Sequence, residues 1–199
     1  MDKKVGFTFH LRAMKTSVLK FCIVIFVFFN LSNSYVFAQK EVQTFTAKNA
    51  IYLDLGGNAG QYAFSYGRLF HEKGLLKVIG SAGFALWADR VQGKTVFNPA
   101  VPLEVSGLIG KRDHHLELGF GVTPHLATSL NFNSETSELE DKVVFESLLP
   151  FRIGYRYQKP KGGFFFRIGY TPFFNVPVGG REDWSFEPRF AGISFGKSF

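Results

Sequence analysis

Along most of this chain, large apolar residues alternate one by one with small or charged residues. Leu116, Leu118, Phe120 and Val122 are separated by Glu117, Gly119 and Gly121. Successive side chains of a strand point to opposite faces, so the spacing predicts a strand with one apolar side. The pattern recurs around Ile51, Leu53 and Leu55, with Tyr52 and Asp54 between them, and around Tyr62, Phe64 and Tyr66, with Ala63, Ser65 and Gly67. It continues through Leu76, Val78, Ala82, Phe84 and Leu86, set against Lys77, Ser81, Gly83 and Ala85. Val101, Leu103, Val105 and Ile109 alternate with Pro102, Glu104 and Ser106. Leu149, Phe151, Ile153, Tyr155 and Tyr157 alternate with Pro150, Arg152, Gly154 and Arg156. Phe164, Phe166, Ile168 and Tyr170 alternate with Phe165, Arg167 and Gly169, and Ile193, Phe195 and Phe199 with Gly192, Ser194, Gly196 and Ser198. Together these segments predict eight strands.

The links between them carry their own order. His71–Gly74, Lys111–His114 and Lys159–Gly163 are short and rich in turn residues. The stretches 88–98, 126–141 and 175–187 are longer and read as loops. Gly57–Gly60 is the one short link out of sequence in this alternation. Alternating short and long links with an even strand number are the mark of outer-membrane barrels, with short turns on the periplasmic side.

Which face is inside follows from the charges. The polar face holds Asp54, Lys77, Glu104, Glu117, Arg152, Arg156 and Arg167 among glycines and serines. A Lys or Arg facing lipid at the midplane costs about 2–4 kcal/mol. The opposite face is too continuously apolar to cover a surface in water, so a soluble lipocalin-like barrel or sandwich fits poorly. The predicted fold is all-β: an eight-stranded antiparallel up-and-down transmembrane β-barrel with the charges inside. A barrel of this size is filled by its own side chains. Three acids and four bases then predict a salt-bridged packed lumen, with room for the arginines beside the glycines. Tyr62, Tyr66, Tyr155, Tyr157 and Tyr170 are placed to form aromatic girdles at the interfaces.

Composition changes the picture mainly at the N-terminus. Residues 1–38 read as a signal peptide, with Lys15 and Lys20 ahead of the apolar run Phe21–Phe29 and Val36-Phe37-Ala38 as cleavage site before Gln39. That run spans about 14 Å as a helix, against a hydrocarbon core of about 30 Å, too short for an anchor. Met14 is an alternative start. Residues 39–48 read as a short periplasmic lead-in and 49–199 as the barrel. The formal charge is +7 for the whole chain, of which the leader holds +4 (five bases against Asp2), leaving +3. A nucleic-acid partner is therefore not expected. Cys22 is the single cysteine and lies in the leader, so no disulfide or thiolate metal site is expected in the mature chain. Lys20 and Phe21 before it do not fit a lipoprotein signal.

Candidate chemistry is sparse. Gly192-Ile193-Ser194-Phe195-Gly196 matches G-x-S-x-G, but that motif needs a strand-to-helix elbow and this one lies in the final strand. His114 and His115 point to opposite faces, and His125 lies at the far end of the same strand, so they do not share a metal. The acidic segment Ser134–Asp141 either binds divalent cations bridging lipopolysaccharide or is a solvated loop, the latter being favoured. Trp87 and Trp184 read as interface anchors at loop bases.

With these features the chain resembles, over roughly residues 49–199, the small outer-membrane β-barrels of bacteria, the group of OmpA- and OmpX-like barrels. The ending Phe190–Phe199, with alternating aromatics and a terminal Phe199, is similar to the signal by which such proteins are recognised by the barrel-assembly machinery. The resemblance implies export through the Sec pathway, residence as a monomer in the outer membrane, and contact with its lipids and lipopolysaccharide. It carries over no functional residue, because the family shares a scaffold and not an activity. No catalytic, metal or cofactor-binding residue and no cofactor is assigned. The expected function is a structural or surface-interaction protein working through its outer loops. A lipid-modifying enzyme, for which His125 and Ser129 are the candidates, and a narrow solute channel remain alternatives.

Overall fold

The structure, a computed structural model, describes residues 44–133, 138–178, 183–188 and 190–199, with side chains except at 129–141. The expected leader, with Met14 and Cys22, lies outside the described residues, as do the side chains of the acidic segment. Eleven strands follow in order: β1 (Asn49–Gly56), β2 (Tyr62–Lys73), β3 (Leu76–Val91), β4 (Lys94–Ala100), β5 (Leu103–Lys111), β6 (His114–Asn133), β7 (Glu138–Gln158), β8 (Gly163–Tyr170), β9 (Phe173–Asn175), β10 (Ser185–Glu187) and β11 (Ala191–Ser198). Their connections include a 3-10 turn, Gly57–Ala59, after β1. Among the described residues no helix is long and apolar enough to cross a membrane.

Every pairing is antiparallel. Pairing leads from β1 to β2, β3, β5, β6, β7, β8 and β11, and β11 pairs again with β1. The fold is thus a β-barrel. Eleven strands stand where eight are expected because three are broken at prolines. β4 and β5 both pair with β3 and are separated by Val101-Pro102. β8 and β9 both pair with β7 and are separated by Thr171-Pro172. β10, on β9, is separated from β11, on β8, by a stretch containing Pro188. Proline has no N–H to give to a ladder. Its carbonyl still accepts: Gly83 N–H donates to Pro102 O and Phe151 N–H to Pro172 O.

Two of the long links are strands rather than loops. β3 runs on to Val91 and turns back through Gln92 and Gly93, both at positive φ (48° and 77°), as a type I′ hairpin turn requires. β6 and β7 stay paired out to Asn133 opposite Glu138. In 88–98 the alternation fades while pairing continues, whereas in 126–133 it persists, with Leu126, Leu130 and Phe132 set against Ala127, Ser129 and Asn131, and the strand continues with it. Among the described residues of 175–187, strand is confined to the end of β9 at Asn175 and to β10.

The faces are those the alternation predicts. Phe64, Val105, Ile153 and Phe164 are about 60% exposed on the outside. Tyr62, Tyr66, Tyr155 and Tyr170 also face outward, with Tyr157 half-buried. The glycines of the last strand let it close on the first. A Cβ on Gly196 would overlap Ile51 O and the Tyr52 backbone. Gly196→Val is therefore expected to prevent the β11–β1 pairing, and the compact band of the unheated protein on a denaturing gel should disappear.

Candidate functional site in the lumen

Seven charged side chains from six strands point inward and are almost fully buried: Asp54, Lys77, Glu104, Glu117, Arg152, Arg156 and Arg167. They are the seven that the alternation places inside. Arg167 is the hub of six of them. Its Nη2 donates to Asp54 Oδ1 at 3.0 Å, and its Nη1 to Glu104 Oε1 at 3.1 Å and Glu117 Oε1 at 3.2 Å. Arg152 Nε donates to Glu104 Oε1 (3.0 Å) and Arg156 Nη1 to Glu117 Oε1 (3.2 Å). Three carboxylates and three guanidinium groups thus form a neutral network. Charge-assisted bonds of this kind contribute about 1.5–3 kcal/mol each, against a desolvation penalty of several kcal/mol per ion.

Neutral donors and rings extend the network, although among the described residues Glu104 Oε2, Glu117 Oε2 and Arg152 Nη1 are buried without a hydrogen-bond partner. Ser65 Oγ donates to Asp54 Oδ2 (2.6 Å), Ser106 Oγ to Glu104 Oε1 (2.7 Å), and Ser194 Oγ to Asp54 Oδ1. Ser194 also accepts from Arg167 Nε, which leaves it a structural hydroxyl in a strand. Arg156 chelates Gln158 Oε1 through Nε and Nη2 and lies 4.5 Å over the Phe165 ring, while Arg167 lies 4.9 Å over Tyr52. Planar guanidinium groups suit such stacking. Gly119 makes the space: a Cβ there would meet Glu104 Oε1 at 2.8 Å. Lys77 stands apart, 4.0 Å from Glu72, donating to Gly110 O and lying 4.9 Å over the Phe45 ring.

Both ends of the network are covered. At the end of the tight turns, Phe45 packs with Leu69, Ile79 and Leu108 and edge-on against His115. Thr46 and Ala47 are tied there by N–H donation to Pro160 O. Part of the segment expected as a lead-in therefore packs into the barrel. At the other end the link after β1 folds inward. Gly57, Asn58 and Ala59 are buried; Asn58 Nδ2 donates to Leu103 O, and Thr123 Oγ1 to Asn58 O. Ala59 packs with Ala63, Ala85, Trp87, Ala100 and Leu148. The shortness of this link has a cause: it is a plug and not a loop.

Trp87 is thus not an interface anchor. It points inward, with its ring 4.6 Å from that of His125. His125 is buried on the same side, with Nε2 3.7 Å from Glu146 Oε2. It does not face lipid, as the enzyme alternative requires; the side chain of Ser129 lies outside the described residues. Both departures were readable. Odd-numbered positions 77–85 and 115–123 face inward, and extending each by one step reaches Trp87 and His125. Trp184 is exposed and packs on Phe174. His114 is exposed against Tyr155, and among the described residues no group of three or more His, Cys, Asp or Glu side chains is arranged to hold a metal ion.

Fold and lumen together define a class: an antiparallel β-barrel, apolar outside, with a charged interior closed at both ends. Among solved structures, the chain is similar to the N-terminal β-barrel domain of Pseudomonas aeruginosa OprF. Identity is 13% and the TM-score 0.44, covering 76% of this chain and 96% of that one. No family model and no curated protein matches the chain.

Removing the hub leaves three buried acids undercompensated. Arg167→Met is expected to lower stability by about 3–5 kcal/mol, read as a fall in the urea midpoint of unfolding. Glu117→Gln should lose less, since the amide oxygen still accepts from Arg156 and Arg167. Gly119→Val should lower it by about 1–3 kcal/mol through overpacking.

Proposed function

We propose that this chain is an integral outer-membrane protein of bacteria whose strands, each proline-broken pair counted once, close an eight-stranded transmembrane barrel. It acts as a structural or surface-interaction protein, and its lumen does not conduct. The observation that supports this is the reversal of faces: a neutral network of six buried charges inside and large apolar side chains outside. Such an arrangement is stable only where the outside meets hydrocarbon. The interaction surface lies at the end of the long hairpins, where Phe97, Trp184 and Phe186 are exposed. Lipopolysaccharide and outer-membrane lipids are the surroundings, and the monomer is the working unit. The leader directs Sec export, and the last strand, ending at the exposed Phe199, serves recognition by the assembly machinery.

Fractionation tests the location: the protein should be recovered with outer membranes and shift on gels when heated. Recovery in the soluble periplasmic fraction would falsify the reading. Reconstituted into planar bilayers, it should show no steady conductance, and stable open levels would exclude the closed lumen. Ile153→Arg, on the outer wall, should destabilise the protein in lipid by about 2–4 kcal/mol in urea titrations. A neutral effect would mean that this wall meets water.

A further inference from the structure

The outer wall of β2, β3 and β5 carries a groove of about 470 Å³. Its floor is small, because register places Gly80 and Ala82 side by side with Arg68 and Tyr66 on one flank and Val105 and Leu103 on the other. A β-bulge between Leu69 and His71 adds Phe70, whose ring lies over Gly80 and bounds one end. Tyr66 is drawn toward β1 by donating to Asn49 Oδ1 at 2.7 Å.

Arg68 is out of place on this wall. It is exposed, with Phe64 and Tyr66 before it and Phe70 after it on the same face. Among the described residues no carboxylate pairs with it. Glu104 borders the groove, but its carboxylate is turned inward onto Arg152 and Arg167. Glu72 is held by the Phe45 N–H and lies near Lys77. An unpaired guanidinium in an apolar wall calls for an anion carried by something apolar. A guanidinium binds phosphate through two parallel N–H bonds. Arg68 also lies on the half of β2 that leads to the tight turns, whose end is basic: Lys73, Lys111, Arg112, Lys159 and Lys161.

We propose that this groove is a binding site for a membrane phospholipid of the periplasmic leaflet. One acyl chain lies over Gly80 and Ala82, and the phosphate is held by Arg68. The proposal rests on the membrane reading above and adds to it a defined ligand.

The test uses the full protein as recovered from cells, in detergent, titrated under native mass spectrometry with phosphatidylglycerol, phosphatidylethanolamine, diacylglycerol and lipid A. Both phospholipids should be retained and diacylglycerol lost. Arg68→Gln should weaken phospholipid binding about tenfold, with Arg68→Lys recovering part of it. Ala82→Trp, which fills the groove and leaves the charge intact, should weaken it as well. Heating shifts on gels show that each variant is folded. Equal binding by wild type and Arg68→Gln, or diacylglycerol bound as well as phosphatidylglycerol, would overturn the site while leaving the barrel reading in place. Preferential retention of lipid A would overturn the leaflet assignment and with it the proposal. A wild-type protein that is not in the membrane fraction overturns both readings.

Discussion

Arg167 reaches carboxylates on three other strands, and the arrangement of the barrel follows from that contact. Asp54, Glu104 and Glu117 are far apart in sequence and meet only around this guanidinium. With Arg152 and Arg156 the count is three against three, so the interior carries no uncompensated charge across these six groups. A buried pair is stable when its remaining donors and acceptors are also used. Ser65, Ser106, Ser194 and Gln158 take part of that role here, while Glu104 Oε2, Glu117 Oε2 and Arg152 Nη1 stay without a hydrogen-bond partner among the described residues. Because the opposite charges neutralise one another inside, the outer wall is free to be apolar. The usual relation between core and surface is reversed, and the charged network does the work that a hydrophobic core does in water.

The network needs dry ends as well as internal balance, since water would weaken its electrostatics. Two pieces of chain outside the alternating pattern supply them. Phe45 lies under the network with Leu69, Ile79 and Leu108, and the Gly57–Ala59 turn lies over it with Trp87 and four alanine and leucine side chains. The lumen is thus layered: apolar, ionic, apolar. At two of the three proline breaks the carbonyl, Pro102 O and Pro172 O, keeps accepting from the neighbouring strand. These two breaks mark where the strands of the ring give way to the hairpins beyond it, on the same partner strand.

The groove around Gly80 arises from the same economy of side chains on the opposite face. A bulge turns one extra aromatic outward, a glycine leaves the space for it, and the charge at Arg68 has no partner in the wall. An interior that is closed and neutral directs attention to the outside of the barrel, where the apolar wall, the basic tight-turn end and the aromatic hairpins differ from one another.

By itself the sequence determined the strands, their faces and the seven interior charges. Strand geometry is local: a period of two assigns each side chain to a face, and the charges concentrated on one face mark it as the inside, without knowledge of any distant neighbour. Asp54, Lys77, Glu104, Glu117, Arg152, Arg156 and Arg167 lie where that reasoning puts them. The same parity, carried one step further, reaches Trp87 and His125. Only the tertiary structure decided which acid meets which arginine, why Lys77 turns to Glu72 instead, and that Phe45 and Asn58 close the ends. Those contacts join residues tens of positions apart, through pairing registers that alternation does not encode. The hairpin at 88–98 was hidden because the apolar period that reveals a strand fades there while pairing persists; in 126–133 the period of Leu126, Leu130 and Phe132 continues, and the strand could have been read as its extension.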